Sequence, residues 1–324
     1  MKFFVTGGAG FIGSHFCDTA LAQEHDVVAF DDLSTGHEEF LEGAFKNSKF
    51  KLVRGDIRDL EFLSKAVETA KPDWIIHFAA NADVRRGTER PRRDLDYNTI
   101  GTWNVLEAAR TAGSRKVLFS STGSVYGEPE VFPTPEKAPF PEQTSFYGAS
   151  KLAGEALISA YAHGFGFLGV VFRFVSILGP RYSHGHVYDF IKQLQDNPKT
   201  LKVLGNGLQT KSYLHIEDLM AGLWTVIKAS KPDENGFKVY NIGHDSAIDV
   251  KTSISYIVGQ LGLEPSLEFS GGTRGWIGDS PRIQLDTTKL KALGWKTQND
   301  LKKSVQDTAD YLISNKWLLE EQQQ

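Results

Sequence analysis

Short runs of consecutive apolar residues punctuate the first half of the chain. FFVTG (3–7), DVVAFDD (26–32), FKLVRGD (50–56), WIIHFAA (74–80), KVLFSS (116–121) and LGVVFR (168–173) read as buried strands. Between them, segments 12–23, 59–70, 97–112 and 146–162 carry apolar residues at helical spacing. Strands that are apolar on both faces and alternate with helices build a parallel sheet covered on both sides. The pattern predicts an α/β architecture with a doubly wound parallel sheet.

After Arg173 the pattern loosens. LGPRYSHGH, LGNGLQTKS and GGTRGWIGDSPR read as loops, Asp286 can cap a helix through Leu293 with Gly294 as its stop, and 299–314 reads as a final amphipathic helix. The closing EEQQQ reads as an unstructured tail. VYNIG (239–243) is strand-like and can return to the main sheet. The expected division is therefore a sheet domain over 1–175 and a smaller α/β lobe over 176–324, without a single cut between them.

Composition narrows the class. The chain has 324 residues, 40% of them hydrophobic, and no apolar run of membrane-spanning length. The opening MKFFVTGGAGFIG is broken by glycines and too briefly apolar for a signal peptide. A net charge of -4 gives no general attraction to nucleic acid or an anionic membrane. Cys17 is the only cysteine, so no intrachain disulfide forms and a cytoplasmic setting is expected.

Candidate chemistry begins at GGAGFIG, where Gly7, Gly10 and Gly13 follow a strand and open a helix. Such a turn brings backbone close to a pyrophosphate, whose charge sits on the helix N-terminus. Asp31 ends the second strand about 20 residues later, where a carboxylate accepts from an adenosine ribose and repels a 2'-phosphate. NAD is thus the expected cofactor. Asp56, followed by Ile57, ends the third strand and is placed to meet the adenine.

SFYGASK places Tyr147 and Lys151 one helical turn apart. A phenol titrates near about 10, and nearby positive charge lowers that value. Lys151 and an oxidised nicotinamide would both supply such charge, and Tyr147 would then take a proton from a sugar hydroxyl as hydride leaves the same carbon. Thr122, in SSTGSVYG, would hydrogen-bond that oxygen.

These stretches, together with TGGAGFIGSH, DDLSTG, HFAA, RFVSILGPR, LGNGLQTKSYLHIEDL and YNIG, resemble the extended short-chain dehydrogenase/reductases nearly end to end. The resemblance is to the NAD-dependent nucleotide-sugar epimerase/dehydratase branch, which has a Rossmann domain. It implies Thr122, Tyr147 and Lys151 as the catalytic set. It implies cofactor contacts from Gly7, Gly10, Phe11, Ile12, Gly13, Asp31, Asp32, Asp56, Ile57, Phe78, Ala79, Ala80, Asn98 and Ser120, along with Tyr147 and Lys151. Pairing of helices 97–112 and 146–162 across a homodimer is inherited from the same resemblance.

Members of the branch oxidise a sugar at C4. Its dehydratases place an Asp-Glu pair directly after the catalytic Thr, where this chain has Gly123 and Ser124; its decarboxylases typically have Glu at the second position. The remaining course is return of hydride to the other face of C4, a 4-epimerase acting on a nucleotide-diphosphate sugar such as a UDP-hexose. A dehydratase, decarboxylase or reductase of the family is the alternative, and a silent NAD-binding scaffold or sensor is more remote. On the substrate side, Lys211 stands where the family usually has an Arg on the phosphates, Ser176 where it has an Asn, and Arg274 is a second phosphate candidate. Ile283 falls near the position that gates the room beside the sugar C2 substituent. His184 and His186 read as loop residues, His77 as a core histidine, and the basic run VRRGTERPRRD (84–94) as a solvated loop over cofactor or substrate.

Overall fold

Each of the six apolar runs forms a strand in the computed structural model, which describes residues 1–81, 87–140, 142–275 and 282–320. The first part of the chain runs β1 (Lys2–Thr6), α1 (Phe11–Ala22), β2 (Asp26–Asp31), β3 (Phe50–Arg54), α2 (Leu60–Ala70), β4 (Trp74–His77), α3 (Pro91–Asp94), α4 (Gly101–Thr111), β5 (Lys116–Thr122), α5 (Phe146–Phe165) and β6 (Leu168–Phe174). It continues with β7 (Ser176–Leu178), α6 (His186–Asp196), β8 (Thr200–Val203), β9 (Thr210–Lys211), β10 (Tyr213–His215), α7 (Ile216–Ala229) and β11 (Gly236–Ile242). The last elements are β12 (Ile248–Asp249), α8 (Val250–Leu261), β13 (Ser266–Phe269), β14 (Arg282–Ile283), α9 (Thr288–Lys291), α10 (Leu301–Ser314) and α11 (Trp317–Glu320).

The main sheet has the order β11-β6-β5-β4-β1-β2-β3. From β3 through β6 every neighbouring pair is parallel, with Val5 opposite Ala29 and Ile76, and Phe119 opposite His77 and Val171. The chain order reverses between β1 and β4, the point at which an α/β sheet opens a crevice beyond its strand ends. Phe4, Phe30, Ile75, Val117, Phe119 and Val171 of the strands pack with Leu63, Val67, Val105, Leu106 and Ile158 of the helices. Full burial of each such side chain is worth about 1.5–3 kcal/mol.

Two elements depart from the expected spans. β4 ends at His77 because the N–H groups of Phe78 and Ala79 turn back to the Thr6 carbonyl, at 3.0 and 3.1 Å. The helix expected over 97–112 is split: a π-helical stretch, Leu95–Ile100, precedes α4. Asp94, Asn98 and Asn81 hydrogen-bond one another there, and Asn98 also reaches Ser150.

By contacts the chain forms two compact units. The first holds Met1–Pro129, Glu136–Phe174 and Val226–Asn241, hence the main sheet. The second holds Glu130–Pro135, Val175–Thr225 and Ile242–Gln324. Within it β10 pairs β7 in parallel, β9 lies between β12 and β14, and β13 pairs β8. The Asp218 carboxylate accepts from the Gln298 and Asn299 N–H groups at 2.9 and 3.1 Å, and its carbonyl from Trp295 Nε1 at 2.9 Å. The helix expected after Asp286 is the short α9, with Thr288 N–H donating to Asp286 Oδ1 at 2.9 Å. Val84–Arg86 of the basic run, residues 276–281 of the GGTRGWIGDSPR loop and the tail residues 321–324 lie outside the described residues. Among the described residues no helix is long and apolar enough to cross a membrane.

Candidate active site

The glycine turn after β1 leaves its neighbours no room. Gly7 has φ +69, and a Cβ there would lie 2.6 Å from the Ala79 backbone N. A Cβ on Gly13 would lie 2.0 Å from the Gly7 carbonyl oxygen, whereas on Gly10 the nearest atom is 3.3 Å away. Gly10 also precedes α1 without a side-chain cap, and no acidic residue occupies the first helical turn. The N–H groups of that turn therefore carry the positive end of the helix with no carboxylate to neutralise it. Phe11, Ile12 and Gly13 form the turn. An uncapped helix start behind a close-packed glycine turn suits a diphosphate, whose charge would sit on those N–H groups.

Asp31 closes β2 nearby. Its carboxylate accepts from the Ala9 and Leu33 N–H groups, both at 2.9 Å, and so fixes the loop to the strand end. Burial raises its carboxyl above the usual range, against those two hydrogen bonds. Each carboxylate oxygen retains lone-pair capacity for a ribose hydroxyl. Asp32 folds back on Ser34, accepting from its N–H and hydroxyl.

Asp56 binds Arg58, whose Nη2 donates at 2.6 Å and whose guanidinium lies over Tyr97. Burial opposes ionisation of Asp56, but the Arg58 hydrogen bonds and charge outweigh it and hold the carboxyl low. Ile57 is buried, and its carbonyl accepts from Asn104 Nδ2 at 2.9 Å. The Asn98 amide is committed within the protein: Nδ2 donates to Ser150 Oγ at 3.0 Å and to Asp94 Oδ1 at 3.2 Å, and Oδ1 accepts from Asn81 N–H at 2.8 Å. Phe78, Ala79 and Ala80 follow β4 beside the glycine turn, and Ser120 Oγ donates to the His77 carbonyl at 3.1 Å.

The catalytic candidates come from two neighbouring elements. Thr122 ends β5, where its Oγ1 accepts from Ser124 N–H at 3.1 Å and donates to Ser124 Oγ at 3.2 Å. Tyr147 and Lys151 share one face of α5, which Ser145 caps by accepting from Gly148 N–H at 3.0 Å. Gly148 is required there: a Cβ would meet the Ser124 carbonyl at 2.9 Å, so only glycine lets the first turn of α5 settle on the Thr122–Ser124 turn. The Thr122 side chain acts on the Tyr147 phenol, lowering it.

Without a cofactor, burial dominates the electrostatics of the pair. Burial pushes the Tyr147 phenol up to about 12, Asp94 pushes it the same way, and only Thr122 opposes them. Burial pushes the Lys151 ammonium down to about 7 against the charges of Asp94 and Glu155. Lys151 Nζ donates to the Ser120 carbonyl at 2.8 Å and lies 4.8 Å from the centre of the Phe119 ring. In the protein alone burial dominates both groups, whereas the acidification expected from Lys151 together with an oxidised nicotinamide concerns the cofactor-loaded site. Asp94 escaped the sequence reading, although it lies four residues before Asn98 on one helical face. His77 is a satisfied core histidine, held between Thr6 and Thr102 hydroxyls at 2.7 and 3.0 Å and pushed down to about 3 by burial and by Lys151.

The substrate candidates belong to the second unit. Ser176 opens β7 opposite Tyr213, and Lys211 on β9 stands opposite both Ile248 and Ile283. The ring of His186 stacks on Tyr213 with centroids 4.8 Å apart, and His186 Nε2 meets Ser253 Oγ at 2.9 Å. Burial and the Lys211 charge hold His186 neutral, near about 3. It is the first residue of α6, whereas His184 stacks on Tyr182. The Arg274 carbonyl lies beside Gly205 in the glycine loop before β9.

Comparison with known proteins accords with this geometry. The model of the NAD-dependent epimerase/dehydratase family matches residues 3–243. A UDP-glucose 4-epimerase of Mycolicibacterium smegmatis is 34% identical over 316 residues, covering 96% of this chain and 98% of its own. The crystal structure of the Thermus thermophilus UDP-glucose 4-epimerase complex with NAD superposes with a TM-score of 0.84 at 30% identity, over 97% of this chain and 99% of that one. A human dTDP-D-glucose 4,6-dehydratase is 29% identical, covering 97% of this chain and 90% of its own. NAD is the cofactor of this enzyme.

Proposed function

The chain belongs to the NAD-dependent epimerase/dehydratase family, and we propose that within it the protein is a 4-epimerase of a nucleotide-diphosphate sugar, most simply a UDP-hexose. The observation that carries this reading is the turn after β5. Thr122 meets Tyr147 there, while the next two positions, Gly123 and Ser124, bear no carboxyl group. Removal of a C5 proton and expulsion of water need an acid and a base beside the sugar. Ser124 instead exchanges a hydrogen bond with Thr122. The set is equipped for proton transfer at one oxygen and for nothing further.

The glycine turn and Asp31 would hold the cofactor, which would supply the hydride acceptor and donor for C4 and, while oxidised, a positively charged ring. Tyr147 Oη takes the proton of the C4 hydroxyl as the carbonyl forms and gives it back as the carbonyl is reduced. Thr122 keeps the phenol and the sugar oxygen aligned. Lys151, anchored on the Ser120 carbonyl, supplies the ammonium that stabilises the phenolate. For C4 to invert, the keto-sugar must present its other face, so Lys211 and Arg274 are proposed to hold the diphosphate while the sugar turns. Lys211 brings charge without the two-pronged geometry of an arginine. A homodimer through α4 and α5 completes the proposal; Trp103 and Phe165 on these helices are 39% and 49% exposed.

The test is incubation with UDP-glucose, UDP-N-acetylglucosamine and UDP-glucuronate, read by mass and by sugar configuration. A product of unchanged mass with inverted C4 is expected from at least one. Loss of water or carbon dioxide would overturn the epimerase reading. Tyr147→Phe should retain NAD and lose turnover by at least about 10³-fold, within the range for removal of a proton-transfer group.

A further inference from the structure

Farther along the catalytic face of α5 lies a buried ion pair that the reaction as described does not use. Glu155 is one helical turn beyond Lys151 and is 3% exposed, as is Arg173 on β6. Glu155 Oε2 accepts from Arg173 Nη2 at 2.6 Å, and Oε1 from Arg173 Nε at 3.0 Å. Oε1 also accepts from Ser121 Oγ at 2.5 Å. Arg173 Nη1 donates to Tyr126 Oη at 2.7 Å and to the Glu136 carbonyl at 3.0 Å, and Tyr126 Oη donates to Asn241 Oδ1 at 2.8 Å.

The partners are not scattered. Ser121 directly precedes Thr122, and Tyr126 ends the turn that begins at Gly123. One carboxylate therefore grips both segments that carry the reacting groups: the β5 turn with Thr122 and Ser124, and the helix with Tyr147 and Lys151. Two charge-assisted contacts in a planar fork fix distance and orientation together. Burying such a pair confers little net stability compared with an apolar replacement of equal volume, so its retention calls for another reason.

We infer that Glu155 is a positioning residue of the reaction, clamped by Arg173 and Ser121 so that the Tyr147–Lys151 face of α5 keeps its register against Thr122. The inference rests on the catalytic roles proposed above. A second consequence is electrostatic. The charged groups acting on Lys151 are Asp94 from α3 and Glu155 from α5, and Lys151 in turn acts on His77 from β4. His77 is neutral, so Asp94 and Glu155 are the two carboxylates that sustain the ammonium against burial. Neutralising Glu155 while Arg173 stays charged should let Lys151 lose its proton at lower pH.

The experiment uses Glu155→Gln in the NAD-loaded enzyme, with the nucleotide sugar that the wild type epimerises. Expected are retained NAD, kcat lowered at least tenfold with KM changed less than threefold, and an alkaline limit of kcat moved down by about one pH unit, as loss of one neighbouring charge implies. A folded, NAD-loaded variant with kcat within twofold of wild type and an unmoved alkaline limit overturns the inference. If Glu155→Gln does not fold, the double variant E155M/R173M leaves no lone buried charge. The same tenfold loss of kcat in a folded double variant supports positioning, and wild-type kcat overturns it. Tyr147→Phe in the same assay separates the layers. Turnover surviving in that variant removes the catalytic reading itself, whereas a silent Glu155 variant beside a dead Tyr147→Phe removes only the positioning role.

Discussion

Gly13→Ala is the substitution for which helix propensity and packing give opposite answers. Position 13 lies inside α1, and alanine in a helix interior is favoured over glycine by about 1 kcal/mol. The surroundings forbid it. The added Cβ would stand 2.0 Å from Gly7 O, 2.8 Å from Gly7 C and 2.9 Å from Gly8 Cα, all backbone atoms, with ordinary contact beginning at 3.4 Å. Helix and loop must separate by about 1.4 Å to restore contact. The loop resists, because Gly7 N–H is tied to the Phe30 carbonyl at 2.9 Å and Gly10 N–H to the Gly7 carbonyl at 3.2 Å. Overpacking of this kind costs about 1–3 kcal/mol or more, and since no side chain can yield, the upper end applies. Set against propensity, a net loss of about 2 kcal/mol lowers the unfolding temperature by roughly 4–8 °C in a domain of this size. Gly10→Ala is the control. Its nearest contact is 3.3 Å and its φ is -77, so stability should move by less than about 1 kcal/mol, while a methyl group facing the diphosphate should still weaken NAD binding. Thermal unfolding of both NAD-free variants, followed by NAD titration, reads the two effects separately. Gly13→Ala unfolding at or above the wild-type temperature would refute the close-contact argument, and full NAD affinity in Gly10→Ala would refute the placement of the diphosphate.

Two further outcomes follow from the charges. Lys151 titrates near about 7 in the folded protein against an ordinary 10.5, so between those values the unfolded chain binds more protons and stability rises with pH. Wild-type NAD-free protein should therefore gain roughly 1–2 kcal/mol over Lys151→Met between pH 7 and 9, measured by urea unfolding at each pH; equal changes in both proteins would show that the ammonium is not buried. Asp31→Asn removes the charge that rejects a 2'-phosphate and leaves one of the Ala9 and Leu33 N–H groups without an acceptor. Affinity for NAD should fall about tenfold or more and its margin over NADP should shrink, and an unchanged NAD/NADP ratio by calorimetry counts against Asp31 as the ribose ligand.

The sheet was readable because β1, β4, β5 and β6 are apolar on both faces, so the signal needs no phase. The second unit was not readable in the same way. α6 buries Val187, Tyr188, Phe190, Ile191 and Leu194 at helical spacing, yet it stands between glycine-rich loops that mask its periodicity. Strands of two residues such as β9, β12 and β14 cannot display an alternation at all. In the site, Tyr147, Lys151 and Thr122 were found from spacing and context. Glu155 continues the same helical stripe and was available to the same reasoning, but its partner Arg173 comes from a different element, and only the folded chain joins them. The direction of the Tyr147 shift in the protein alone is not legible in the sequence for a different reason. Spacing gives the identity of a neighbour, whereas the sign of a pKa shift depends on how much water the fold removes from both groups.

That balance bears on how the proposed reaction is switched on. Among the described residues the buried charges around the dyad, while Lys151 keeps its proton, are Asp94, Lys151, Glu155 and Arg173, two of each sign, with His77 neutral. Ionising Tyr147 adds a negative charge that nothing in this set offsets, which is consistent with a phenol raised to about 12. Asp94 has two opposed effects: it holds the proton on Lys151 and it also holds the proton on Tyr147. The protein alone is therefore a poor base at C4. One further positive charge at the site makes the phenolate balanced, and an oxidised nicotinamide carries one. A reduced cofactor would not, so proton uptake by the phenolate and hydride uptake by the cofactor go together, linked by one charge count. On this accounting the phenol is acidic while the sugar awaits oxidation, and it is protonated and ready to donate once the keto-sugar has formed.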